Sequence, residues 1–151
     1  MKEAPAIYAE TLGALRAWAE ANRAVATIQE KETNLTYGFL VTPHRTEAKG
    51  FEIWIGKDGR FDIFCGAISW ENDPIPSALA LVRFCEAVAD GKVVEREWVW
   101  RGRSMQLVTS VQTDDEWQPQ WQHSVTLIVR IPLRFCAVVD RQYQPYRAAP
   151  P

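Results

Sequence analysis

The sequence predicts an α+β domain in which two helices pack on a mainly antiparallel sheet, in the order α-βββ-α-βββ(β). Apolar residues recur at three- and four-residue intervals near residues 5–31 and 74–90, which is the spacing of one helix face. Apolar and polar residues alternate in most remaining segments, which is the period of a strand. A chain of 151 residues can bury one core. We therefore expect a single domain over residues 1–140 and a flexible, proline-containing tail over 141–151.

The first predicted helix runs from Pro5 to Lys31. Pro5 fits the first helical turn, where its missing N–H has no partner to lose. The apolar stripe of this helix comprises Tyr8, Leu12, Leu15, Trp18, Ala19, Val25 and Ile28. We expect the stripe to cover one face of the sheet.

Three strands are predicted next, at residues 35–42, 51–55 and 61–67. The link between the second and third decides their register. A two-residue turn at Asp58 and Gly59 would place Ile55 opposite Asp62. A three-residue loop with Gly59 in the left-handed conformation places Ile55 opposite Phe61 instead. The second register keeps apolar side chains on one face, so we predict it.

The second predicted helix opens at Asp73 and Pro74, with Asp73 as its cap and Pro74 at the first helical position. Its apolar surface is broad, which indicates burial on more than one side. Leu79, Leu81, Val82, Phe84, Cys85 and Val88 make up this surface. Gly91, after Asp90, is expected to end the helix.

A hairpin over residues 92–113, with its turn at 101–104, is predicted to be central to the core. One face of its strands is apolar and is expected to point inward: Val94, Trp98, Trp100, Met105, Leu107, Thr109 and Val111. Glu95 and Glu97 fall on the opposite, solvated face. Arg96 is the one charge that the alternation turns inward. A final strand is expected at 121–131, with an extension at 135–139.

Charge, cysteine content and motifs argue against several functions. A formal charge of −2 lacks the basic excess that nucleic-acid binding uses, so nucleic acid is an unfavoured partner. Cys65, Cys85 and Cys136 show no paired spacing, and no phosphate-binding glycine loop is present, so we expect no metal and no cofactor. No apolar run suits a membrane span or a signal peptide. We therefore expect a cytoplasmic protein with free, inert thiols.

The excess of tryptophan indicates where a partner would bind. In the preferred register Trp54 shares a strand face with Glu52, Asp62 and Phe64. Trp70 and Trp117 fall in segments that resemble loops, beside acidic residues. Exposed aromatic side chains rimmed by acids are typical of protein interfaces. The competing interpretation is that one of the helices covers this face.

The function that these features favour is non-catalytic binding of another protein, which would be basic, in an inhibitor or immunity role against a toxin or enzyme. The alternative is a small enzyme or ligand-binding domain whose pocket, between sheet and helices, is lined by Arg96, Trp98 and His123. Catalysis is disfavoured because His44 and His123 are the only histidines and neither has a partner at suitable spacing. A third interpretation is a homo-oligomer that pairs its edge strands.

Overall fold

The structure is a computed structural model that describes residues 3–113, 122–124 and 132–148, with the backbone alone at 122–124. These ranges form an α+β fold with two helices and antiparallel strands, as the sequence predicts, but the strands form two sheets and not one. The elements are α1 (Ala4–Asn22), β1 (Ala26–Glu32), β2 (Thr36–Pro43), β3 (Phe51–Gly56), β4 (Arg60–Cys65), β5 (Ile68–Pro74), α2 (Ala78–Ala89), β6 (Val93–Trp100), β7 (Arg103–Val111), β8 (Gln122–Ser124), a 3₁₀ turn (Leu133–Phe135) and β9 (Ala137–Gln142).

Strands β1 to β5 form a meander in sequence order, which we call the large sheet. Both helices pack on one of its faces, and α1 also packs along α2. Phe84 of α2 lies at the centre, with edge-on ring contacts to Phe51 and Trp70 at centroid distances of 5.8 Å each. The other members of this core with the deepest burial are Leu15, Phe39, Ile53, Ile55, Ile63, Ile68, Leu81 and Val88.

The predicted pairing of β3 with β4 is confirmed. Ile53 lies opposite Ile63 and Ile55 opposite Phe61. Gly59 in the connecting loop has a φ of +81°, the left-handed conformation that this register requires.

The predicted first helix is too long. It ends at Asn22, whose side-chain amide donates to the Trp18 carbonyl, and the chain then forms β1. From Ala26 the burial alternates, with Ala26 and Ile28 inside and Thr27 outside, because this segment pairs with β2. A stripe of period 3.6 and an alternation of period two share several apolar positions over such a short stretch, so the pattern alone did not separate them.

The predicted start of the second helix is also wrong. Residues 68–74 form β5, and α2 begins at Ala78 with Ser77 as its cap, where the Ser77 hydroxyl accepts from the Ala80 N–H at 3.0 Å. The predicted end is confirmed, because Gly91 follows the helix in the left-handed conformation with a φ of +74°.

Strands β6 to β9 form the small sheet, in the order β8-β7-β6-β9. The predicted hairpin exists, but its first strand has the opposite orientation. Val93 and Glu95 are buried, Arg96 is exposed, and Trp98 and Trp100 are only half-buried. On β7 the predicted inward residues Met105, Thr109 and Val111 are buried. The hairpin joins the core through Val93 and Val111 at its base and is not central to it.

The predicted flexible tail is wrong for residues 141–148. Tyr146 is 2% exposed, its hydroxyl donates to the Lys49 carbonyl at 2.7 Å, and its N–H donates to the Ala89 carbonyl at 2.7 Å. The Gln144 N–H donates to the Glu47 carbonyl. This segment therefore ties β9 to α2 and to the loop before β3.

Candidate functional site: an aromatic and acidic sheet surface beside a cavity

The face of the large sheet that points away from the helices carries the predicted partner-binding residues. We call Leu40, Glu52, Trp54, Asp62 and Phe64 the sheet surface. Glu52 lies opposite Phe64, Trp54 opposite Asp62, and Leu40 opposite Glu52 on the neighbouring strand. The aromatic and acidic side chains thus meet as direct cross-strand neighbours. Both helices pack on the other face, so no described helix covers this one.

Trp54 can pack directly on the backbone of β2 because Gly38 there has no side chain. A Cβ built on Gly38 would lie 2.4 Å from the Trp54 ring, so the ring lies flat on the backbone where β2 carries a glycine. The indole N–H donates to the Glu52 carboxylate at 3.3 Å. Trp54 is half-buried and its orientation is fixed, while Phe64 beside it is 37% exposed. An aromatic group whose position is set before binding loses little conformational entropy when a partner arrives.

Three carboxylates surround these rings. Asp62 accepts from the Asn72 N–H at 2.6 Å, and Glu71 accepts from the Ser69 hydroxyl at 2.6 Å. Glu52 is the third, and one of its oxygens accepts from the Trp54 indole N–H. Arg60, on the same face of β4, offsets part of this charge, and the remaining negative charge suits a basic partner.

Two predicted partner-binding residues do not join this surface. Trp70 is 9% exposed and packs on Phe84, so it belongs to the core. Its segment was predicted to be a loop, but Ile68 and Trp70 alternate inward on β5. Trp117 lies outside the described residues.

A buried polar cluster, which sequence reasoning missed, lies where the two sheets meet. The Glu95 carboxylate is its centre: one oxygen accepts from Lys49 Nζ at 2.8 Å and from the Thr109 hydroxyl at 3.2 Å, and the other accepts from the Tyr143 hydroxyl at 2.5 Å. Glu95 is 5% exposed. A Cβ on Gly66 would lie 2.3 Å from the same carboxylate, so β4 and β5 can turn this close only with glycine there. We call the side chains of Lys49, Glu95, Thr109 and Tyr143 the junction cluster.

Interactions within the junction cluster favour the charged forms of both Glu95 and Lys49. Burial raises the pKa of Glu95, but hydrogen bonds from Lys49, Tyr143 and Thr109 outweigh it, and the net pKa lies below the ordinary value. Burial lowers the pKa of Lys49, yet the hydrogen bond and charge of Glu95 outweigh it, and the net pKa is raised. Lys49 is therefore a protonated donor and not a nucleophile at neutral pH.

A cavity of about 510 Å³ connects the junction cluster to the sheet surface. Its walls include Leu40, Glu52 and Phe64 on one side and Lys49 and Tyr143 on the other. The Lys49 side chain is 21% exposed, so part of it faces this space. The cavity thus offers mixed polar and apolar walls, with one carboxylate and one protonated amine, to whatever enters.

The alternative pocket is not formed as predicted. Arg96 and Trp98 lie on the face of β6 opposite Val93 and Glu95, which point into the molecule. Arg96 is exposed and binds Asp140 through two hydrogen bonds of 2.7 Å each. Register places the backbone of His123 opposite Val108, in the row of Arg96, but its side chain lies outside the described residues. Arg96 and Trp98 therefore lie on an outer sheet face and do not line a space between sheet and helices.

Two of the three thiols are buried. Burial raises the pKa of Cys65 to about 12 and raises the pKa of Cys85 further, whereas Cys136 is half-exposed. Within the described ranges, no three His, Cys, Asp or Glu side chains are grouped as ligands for a metal ion, and neither helix is long and apolar enough to cross a membrane. Comparisons of the chain with models of protein families, with curated proteins and with solved structures gave no match.

Proposed function

We propose that this chain is a non-catalytic protein-binding domain that uses the sheet surface to hold a basic partner. The observation that carries the proposal is the direct cross-strand pairing of Trp54 with Asp62 and of Phe64 with Glu52 on a face that neither described helix covers. Aromatic anchors supply much of the affinity at protein interfaces, whereas surface charges mainly speed association and select partners. A rigid, hydrogen-bonded sheet presents both kinds of group without a cofactor.

An inhibitor or immunity role in the cytoplasm is the narrower form of this proposal. Neutralising a toxin or enzyme requires that a surface block the target and does not require chemistry. The junction cluster agrees with such a role, because Lys49 is held protonated by Glu95 and gives no activated nucleophile. The adjoining cavity would admit one protruding side chain of the target, which would contact Glu52, Phe64 and Lys49 in its walls.

The test uses Phe64→Ala and Glu52→Lys, with Leu79→Ala as the matched control. Phe64 and Leu79 are exposed apolar side chains, at 37% and 56%, on different surfaces, so both truncations should leave the fold intact. A partner is captured from extracts of the source cells by the full chain, purified and titrated calorimetrically. We expect Phe64→Ala to weaken binding about thirtyfold, which corresponds to about 2 kcal/mol, and Leu79→Ala to leave it unchanged.

Trp54→Ala provides a second measurement, since this ring also packs on Gly38. Its unfolding free energy is measured beside its affinity, so that a loss of structure is separated from a loss of contact. Glu52→Lys should slow association and reduce the salt dependence of the rate. If a purified partner binds Phe64→Ala and Glu52→Lys as tightly as the original chain, the sheet surface is not its binding site.

A second candidate function, binding of a small polar ligand, is favoured by one observation: the exposed part of Lys49 faces a cavity whose walls also include the apolar side chains Leu40 and Phe64. A small aromatic carboxylate such as benzoate could stack on Phe64 and accept a hydrogen bond from Lys49. Titration of the full chain with benzoate, followed by amide chemical shifts, would show changes at residues 49, 64 and 143 that Lys49→Met abolishes. Equal changes in amide chemical shift in the original chain and in Lys49→Met would reject this site.

A further inference from the structure

The edge of the small sheet at β9 carries the densest group of exposed apolar side chains among the described residues. Val138 is 52% exposed and Val139 48%, and the turn just before the strand adds Leu133 at 40% and Phe135 at 63%. The remaining large apolar side chains that are exposed, Leu35, Phe64 and Leu79, are scattered over other elements. β9 pairs with β6 on one side, and no described strand pairs with its other side.

The two edges of the large sheet are protected in ways that β9 is not. β1 ends in a charged run, and Glu30 there is paired with Arg16 and Arg23. β5 ends in Glu71, Asn72, Asp73 and Pro74, with Asn72 in the left-handed conformation at a φ of 59° and an irregular register against β4. Charges, proline and irregular backbone are the features by which edge strands avoid pairing with other chains. Residues 137–139 are Ala, Val and Val, without any of these features.

The charges on β9 favour a second copy of the same strand over a charged partner. Asp140 is already held by Arg96, and the hydrogen bonds of that pair lower the pKa of Asp140. The strand therefore presents no unpaired carboxylate to a cation. Arg141 follows on the opposite face, across from Glu95 and near Glu97, whose negative charges act on it, so the edge has no large excess of either sign.

We propose that the edge of β9 that no described strand occupies pairs in antiparallel orientation with β9 of a second copy, joining two small sheets into one. A two-fold axis requires one residue to lie opposite itself. An axis at Val139 pairs all of residues 137–141, with Val138 opposite Asp140 and Ala137 opposite Arg141 of the second copy. An axis at Asp140 would oppose two carboxylates, and an axis at Val138 would pair only residues 137–139 within the strand. The axis at Val139 is therefore favoured.

The first test measures the mass of the full chain by analytical ultracentrifugation from about 1 to 100 µM, a range that covers weak and moderate dimers. We expect a concentration-dependent dimer. Val139→Lys places two ammonium groups opposite each other and should weaken the dimer at least tenfold. Val138→Lys is the matched variant, since it faces Asp140 of the second copy and should weaken the dimer less. Leu35→Lys, on the loop between β1 and β2, should leave it unchanged.

The second test fixes the register. In a Cys136→Ser background, Val139→Cys should give a disulfide-linked dimer under mild oxidation, because residues directly opposite in antiparallel strands have Cα atoms about 4.5–5.5 Å apart. Val138→Cys should link much more slowly. A chain that stays monomeric to 100 µM, a dimer that Val139→Lys leaves intact, or equal cross-linking at both positions would each overturn the proposal. A strand of another protein pairing with β9 would appear as such a monomer.

Discussion

The large and small sheets are both antiparallel, but they are stabilised differently. The large sheet buries one face under two helices, and its inner rows are mainly aromatic and aliphatic. The small sheet contributes Val93 and Val111 to that core, and the next inward pair along the hairpin is Glu95 with Thr109. Non-directional burial of apolar side chains thus stabilises the large sheet, whereas a directional set of hydrogen bonds attaches the small sheet to it.

This difference explains where the surfaces available for binding lie. Because the helices cover only one face of the large sheet, its other face is free to carry the sheet surface. Because the small sheet is attached at its base, its edge strand and outer face project beyond the core, and apolar side chains remain exposed there. The following predictions test whether the two sheets depend on different interactions.

The largest effect is expected at Phe84, at the centre of the apolar core. Phe84→Ala should reduce the free energy of unfolding by about 3–5 kcal/mol, because it leaves a cavity among Phe51, Trp70 and the aliphatic rows. Urea unfolding followed by circular dichroism measures this loss. Leu79→Ala on the exposed side of the same helix should cost less than about 1 kcal/mol. Equal losses at the two positions would contradict the assigned core.

The junction cluster should give the next largest effect. Glu95→Gln removes the charge that holds Lys49 and should cost about 2–3 kcal/mol, less than for a fully buried pair because Lys49 keeps some contact with water. The double variant with Lys49→Met should recover part of that loss. Additive losses in this cycle would show that the two residues do not interact as the distances indicate.

The pH dependence of stability should follow the same pair. Since the pKa of Glu95 is lowered in the fold, its contribution is present above the unfolded value of about 4.3 and is lost as the pH falls through the folded value. Since the pKa of Lys49 is raised, its contribution is present below about 10.4 and is lost as the pH rises through the folded value. Unfolding measured from pH 3 to 7 should therefore show a shallower acid limb for Glu95→Gln. An unchanged limb would contradict the assignment.

Trp98→Ala should reduce the free energy of unfolding by less than the size of the tryptophan side chain suggests. The ring is half-buried on the outer face of the small sheet, so truncation should cost about 1–2 kcal/mol, well below the loss at Phe84. The same urea unfolding experiment measures it. A loss as large as that of Phe84→Ala would place Trp98 in a core that the described contacts do not include.

The smallest effect is expected in the rate of thiol labelling, a measurement that does not report a change in stability. Cys136 should react first with a thiol reagent at neutral pH, because Cys65 and Cys85 are buried and burial raises the pKa of each. Cys136→Ser should abolish the fast phase while complete labelling still requires denaturation. Fast labelling that persists in Cys136→Ser would show that the core opens around Cys65 or Cys85.

Local chemistry was sufficient to predict part of the candidate site. The loop with Gly59 and the apolar alternation determined the register of β3 with β4, and that register alone placed Trp54 beside Asp62 and Phe64 beside Glu52. Trp70 was misassigned because Glu71, Asn72, Asp73 and Pro74 resemble a loop, although the inward alternation of Ile68 and Trp70 was a usable signal. The fold class followed from the same patterns.

The sequence by itself therefore determined the presence of the two helices, the β3–β4 and β6–β7 hairpins and the face that carries the sheet surface, because each depends on residues close together along the chain. Only the tertiary structure decided which face of β6 points inward. A glutamate can replace an apolar residue there because Lys49 and Tyr143, 46 and 48 positions away, come within hydrogen-bonding distance of it. The free energy of burying a carboxylate depends on those partners and not on its sequence neighbours, so no local pattern could reveal the junction cluster.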